Sequence, residues 1–157
     1  MKHLARIVAW QYEEAWSMLG EAIAAVEEPG WRSGDSAYAV PARLAYHAIE
    51  TADYYMHPDL AGFEWAGRFG VDWKVEDFRA LPGKDDILEY LDAVRTKVEQ
   101  LLEARSDMGL LAPDEVFHQE GMTHLDRALY VLRHTHQHLG ELCSILRSRS
   151  IPRPGWR

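Results

Sequence analysis

Residues 123–148 read Thr-His-Leu-Asp-Arg-Ala-Leu-Tyr-Val-Leu-Arg-His-Thr-His-Gln-His-Leu-Gly-Glu-Leu-Cys-Ser-Ile-Leu-Arg-Ser. Ala128, Leu132, Leu139, Leu142 and Leu146 fall at helical spacing, and Thr123-x-x-Asp126 has the form of a capping box. The stretch therefore predicts one long amphipathic helix over about 123–148. A helix with one apolar face needs partners to cover it, and the rest of the chain supplies three. Wound as a helix, the stretch also places His134 and His138 on one side, four residues apart, with Cβ atoms roughly 6 Å from each other.

The nearest partner in sequence is a helix over about 86–106. Its stripe of Ile87, Leu91, Val94, Val98 and Leu101 has the 4-3-4-3 spacing of bundle packing. Asp86-x-x-Glu89 reads as its capping box, and Ser106 to Gly109 as its end. A second helix is expected over about 41–56. Pro41 suits its first turn, Leu44, Ala45, Ala48, Thr51, Ala52 and Tyr55 mark its face, and His57-Pro58 stops it. The first helix, about 2–28, carries Leu4, Ile7, Val8, Ala15, Met18, Leu19, Ala22, Ile23 and Val26 and is ended by Pro29-Gly30. Residues 58–84 differ in kind, with Phe63, Trp65, Phe69, Trp73 and Phe78 set among glycines. A structureless loop of that length is unusual in a compact domain, so short helical turns packed on the bundle are expected, with a pocket roof as the alternative. The tail, 149–157, is proline-rich and extended, with Trp156 available to anchor it. Four long helices, no convincing strand and a long second connection predict an all-α four-helix bundle, with a crossover between helices 2 and 3, as one domain over 1–157.

Composition narrows the function. The net charge of −8 argues against a nucleic-acid surface, and no basic cluster counters it. The amphipathic start resembles neither a signal peptide nor a membrane span. Cys143 is the single cysteine, so no disulfide framework exists and a reducing, cytoplasmic setting is expected.

The histidines separate by helical phase. His138 lies about 40° from His134 and His136 about 200° away, while His124 sits roughly 15 Å down the axis. His3, His57 and His118 lie near helix ends or in connections. His134 and His138 border the apolar stripe and could simply be boundary residues. His47 borders the apolar face of helix 2, and inward ligands from facing helices are how bundles build metal sites. Imidazole nitrogens suit zinc, nickel, iron or copper. Two familiar patterns fail. Thr135 stands where a zinc protease carries glutamate, and Glu115-x-x-His118 is the sole Glu-x-x-His, in a connection, where a di-iron bundle needs two. Glu50 and Glu141 each lie three residues past a histidine and could hold an imidazole N–H, act as a base, or be solvated. Tyr54, two turns past His47, could line the pocket or pack in the core. Cys143, about 140° from His138, reads as a small buried residue.

One histidine in helix 2, then His-x-x-x-His followed by x-Gly-(Gln/Glu) in helix 4, resembles the DinB-like family, the DinB/YfiT-like metalloenzymes. His47 and His134-Thr-His-Gln-His138-Leu-Gly140-Glu141 match that pattern, and the likeness extends over the whole chain. Glu141 stands where many members carry glutamine, and His136 is an addition. The resemblance implies a divalent metal on His47, His134 and His138, zinc or nickel before iron or manganese, with a position left open. It also implies a low-molecular-weight thiol cosubstrate, as in relatives that are transferases and isomerases; a metal-bound thiolate would attack a small electrophilic substrate, whereas water in the same place would give hydrolase chemistry. A homodimer is consistent with family habit and the tryptophan content. The competing expectation is a non-catalytic metal-binding or structural, stress-response bundle.

Overall fold

The computed structural model describes residues 3–117 and 121–157. His118, set aside above, and the expected helix start at residue 2 lie outside them. Six helices follow in order: α1 (His3–Ala25), α2 (Glu28–Trp31), α3 (Pro41–Tyr55), α4 (Lys84–Ala104), α5 (Asp107–Leu110) and α6 (His124–Ser148). No strand occurs among the described residues, and a single antiparallel bridge joins Pro113 to Thr123.

The long helices α1, α3, α4 and α6 form the four-helix bundle. Each of α1 and α3 packs against both α4 and α6. Named contacts give the directions. Tyr12 reaches Ala128 and Gly30 reaches Arg149, so α1 and α6 run together. The Tyr46 and Tyr90 rings meet while Asp53 pairs with Lys97, so α3 and α4 also run together. Lys84 bonds Val26 at one end and Asp107 bonds Leu4 at the other, so α1 and α4 are antiparallel. His47 meets His138 while Tyr55 meets Tyr130, so α3 and α6 are antiparallel as well. The second and third long helices thus share a direction, and the chain between them must return along the bundle.

Local sequence explains most boundaries. Thr123 caps α6 in a full capping box: its hydroxyl accepts from the Asp126 N–H, and Asp126 accepts from the Thr123 N–H at 2.8 Å. Pro41 opens α3, where a missing N–H costs nothing. Three expectations need correction. The first long helix stops at Ala25, and Pro29 sits inside the first turn of α2, because proline is tolerated there and starts a turn as readily as it ends one. Asp86 does not open α4: Gly83 is the cap residue and Asp86, three positions in, accepts the Gly83 N–H at 3.2 Å. Ser106 does not merely end α4 but caps α5, accepting from the Gly109 N–H at 3.0 Å.

The core is formed by Tyr12, Trp16, Leu19 and Ile23 of α1, Tyr46 and Ile49 of α3, Ile87, Leu91 and Val98 of α4, and Val131, Leu139, Leu142 and Leu146 of α6. Leu132, expected on this face, is only half-buried, and Val131 takes the central place. Ile7 also falls outside its expected stripe, 44% exposed. The connection packs down on the bundle. Phe69 meets the Tyr46 ring at 5.4 Å and the Tyr90 ring at 5.7 Å, Tyr46 donates to the Val71 carbonyl at 2.9 Å, and Phe78–Ala80 form a short 3-10 turn. Trp156 is 83% exposed and does not anchor the tail. Arg149 does so instead, through the Gly30 and Ser33 carbonyls, together with Arg157, which pairs with Glu21. No helix among the described residues is long and apolar enough to cross a membrane.

Candidate metal centre

The antiparallel contact of α3 and α6 brings His47, His134 and His138 together. One ligand nitrogen from each lies within 4.8 Å of the other two. Ring centroids are 5.0 Å apart for His47–His134, 4.7 Å for His47–His138 and 4.4 Å for His134–His138. The two α6 imidazoles face each other through their Nε2 atoms at 3.1 Å. Nitrogens bonded at 2.0–2.1 Å to a tetrahedral zinc ion stand about 3.3 Å apart, so this pair needs little adjustment and His47 a modest approach. The residues fit a divalent ion: three imidazole nitrogens from two helices, two of the rings half-buried and one buried, within reach of one point.

The far side of each ring is treated differently. His138 Nδ1 lies 2.7 Å from Glu141 Oε2, so the carboxylate accepts its proton and turns Nε2 inward as a lone-pair donor. His47 Nδ1 lies 3.3 Å from the Thr51 hydroxyl. His134 Nδ1 is buried with no hydrogen-bond partner among the described residues. Burial, and then the neighbouring imidazoles, hold His47 down to about 3; Lys74 and Arg43 add to the effect. Burial and His138 hold His134 down to about 4, against the pull of Glu141. At neutral pH these two rings are uncharged, the form a metal requires.

The other residues singled out from sequence are placed as follows. Glu141 reaches its histidine. Glu50 is occupied elsewhere: its buried carboxylate accepts from the Ala66 N–H at 2.7 Å and the Tyr46 hydroxyl at 3.2 Å, holding the connection against α3. Burial raises its pKa. Tyr54 packs in an aromatic cluster with Phe63 at 5.4 Å and Trp65 at 4.7 Å. His136 points away, Nδ1 3.1 Å from the Leu132 carbonyl. Cys143 is half-buried, and burial pushes its thiol up, away from nucleophilic use. His124 belongs to a separate cluster in which Asp114 meets both His124 Nδ1 at 2.9 Å and Arg127 Nε at 2.8 Å.

Two contributors escaped the sequence reading. Thr51 is four residues past His47, about 40° away in phase, whereas Glu50 is about 60° away on the other side. Spacing alone favoured the threonine. Trp73 comes from the connection, its ring centroid 4.1 Å from that of His47, and forms a wall of the site. No local periodicity signals it.

A family model described as the DinB superfamily matches residues 11–142 and thus takes in all three histidines. No curated protein and no solved structure gives a significant match to the chain.

Proposed function

We propose, from the premise that this chain belongs to the DinB superfamily, that it is a metal-dependent enzyme acting on a small electrophilic molecule, as a thiol-dependent transferase or a hydrolase. The observation that carries the reading is the convergence of three imidazole nitrogens within 4.8 Å at the α3–α6 contact. A divalent ion held there, zinc or nickel foremost, supplies a Lewis acid that lowers the pKa of a thiol or water in its open position.

The chain's own residues divide the remaining work. His47, His134 and His138 would bind as neutral donors, leaving the ion its full charge. Glu141 orients His138 and holds the proton on Nδ1, and Thr51 braces His47. Trp73 packs on His47, and the rings of His47 and His134 are half-buried, so on this reading the connection would border the substrate's approach to the ion. Glu141, 44% exposed at its side chain, can also exchange protons with water as a base. The reading places the protein in a reducing compartment, the cytoplasm, with Cys143 free. Its partner is a small molecule and not a nucleic acid or membrane.

The test is metal content by elemental analysis of untagged protein purified without chelators, wild type beside His47→Ala. About one metal per chain in the wild type and none in the variant is expected, with any thiol-transfer or hydrolytic activity lost alongside. Activity retained by a metal-free variant would sink the proposal.

A further inference from the structure

We infer that the mouth of the three-histidine site selects substrates bearing an anionic group, a carboxylate in the simplest case, and that Arg43 and Lys74 determine this specificity. The inference rests on the metal-dependent reading above and adds the charge class of the substrate. Arg43 lies on α3 one turn before His47, and Lys74 follows Trp73 in the connection. The Arg43 guanidinium carbon is 5.6 Å and the Lys74 ammonium 4.9 Å from the Trp73 ring centroid. That ring is itself 4.1 Å from His47, which keeps both charges within roughly one Debye length of the ligand imidazole.

Neither side chain is in an ion pair among the described residues. In a chain of net charge −8, two cations brought from separate segments to one aromatic wall set a local field opposite to the global one. A third lies across the site: the Arg133 guanidinium is 5.4 Å from the Tyr130 ring, which stacks toward His134 at 6.5 Å. Two carboxylates lie near these cations: Glu141 is committed to His138, and Asp72 accepts the Lys74 backbone N–H at 2.8 Å, with no ion pair from either to Arg43 or Lys74 among the described residues. A substrate anchored at the metal and reaching outward would meet Trp73 first and then two cations. A carboxylate tail gains there, and an ammonium tail is repelled.

The experiment uses the cobalt(II)-loaded whole chain and three thiols built on the same two-carbon spacer: 3-mercaptopropionate, 2-mercaptoethanol and cysteamine. Binding is read from the cobalt–sulfur absorbance in the near ultraviolet, on wild type and on Arg43→Gln/Lys74→Gln. Differences in thiol acidity cancel between the two proteins. In the wild type the carboxylate thiol is expected to bind better relative to the ammonium thiol than in the variant, by about tenfold at low salt. A second measurement needs no variant: the wild-type preference should shrink on raising salt from about 20 mM to about 0.5 M. A preference that survives both the double substitution and high salt would overturn the assignment. Cobalt uptake with no charge preference overturns this inference alone, whereas failure of the wild type to take up cobalt overturns the metal reading and this inference together.

Discussion

Glu141→Ala removes the carboxylate that orients His138 while leaving all three imidazoles in place. The Nδ1–Oε2 distance of 2.7 Å is that of a charge-assisted hydrogen bond. Bonds to charged groups contribute about 1.5–3 kcal/mol, but this carboxylate is 44% exposed and water screens it. The lower end, about 1.5 kcal/mol, is therefore the appropriate figure, and it corresponds to roughly tenfold in metal affinity. The tautomer adds to that loss. Without Glu141 the proton is no longer held on Nδ1, and part of the population must give up an Nε2 proton before it can bind. An expected loss of ten- to a hundredfold agrees with what outer partners of metal-bound histidines usually contribute. The assay is competitive titration of zinc against a chromophoric chelator, with Glu141→Gln as an isosteric control that keeps an acceptor and recovers part of the affinity. The same bond is present without metal, so the metal-free fold should also lose stability, by no more than about 1.5 kcal/mol. Zinc affinity of Glu141→Ala within twofold of wild type would refute the argument that Glu141 orients the ligand.

Metal loading should also move a proton on His134. In the metal-free protein His138 keeps its proton on Nδ1, so His134 must donate through Nε2 across the 3.1 Å contact; nitrogen-15 NMR should report Nε2–H in the free state and Nδ1–H after loading, and an unchanged tautomer would contradict this. Acidification should weaken the metal-free fold. His47 and His134 titrate at about 3 and about 4 when folded but near their ordinary value of about 6.5 when unfolded, so the unfolded chain takes protons first and stability falls as pH drops from about 6.5 toward those values. Urea midpoints across that window should fall less steeply in His47→Asn than in wild type, and identical slopes would count against it. Glu50→Ala should release the connection by leaving the half-buried Ala66 N–H and the Tyr46 hydroxyl without this acceptor, at about 2 kcal/mol; limited proteolysis should then cut within 57–83 well below the unfolding transition, and wild-type resistance there would argue otherwise. Gly140→Ala should stabilise α6 by about 0.5–1 kcal/mol, since an added Cβ meets nothing within 4 Å. A destabilised Gly140→Ala would instead indicate that another surface packs at this position.

The four long helices, most of their apolar faces and the histidine pair are legible in the amino-acid order, because these depend on residues close along the chain. The 4-3-4-3 stripe of Ile87, Leu91, Val94 and Val98 and the Thr123–Asp126 box are local signals, legible without knowing what packs where. The sequence also singled out His47, but only as a residue on the right side of another helix. Whether that ring meets His134 and His138 was decided by the antiparallel packing of α3 on α6, a long-range contact that no periodicity encodes. The same holds for the partners of the three histidines. Glu50 and Glu141 have equal offsets from their histidines, yet only Glu141 reaches one, because Tyr46 and the Ala66 N–H draw the Glu50 carboxylate to the connection. Trp73, Arg43 and Lys74 gather beside His47 because the connection folds back across α3. Helices follow from neighbours in sequence, but a site assembled from two helices and a connection exists only once the core has fixed how they lie against one another.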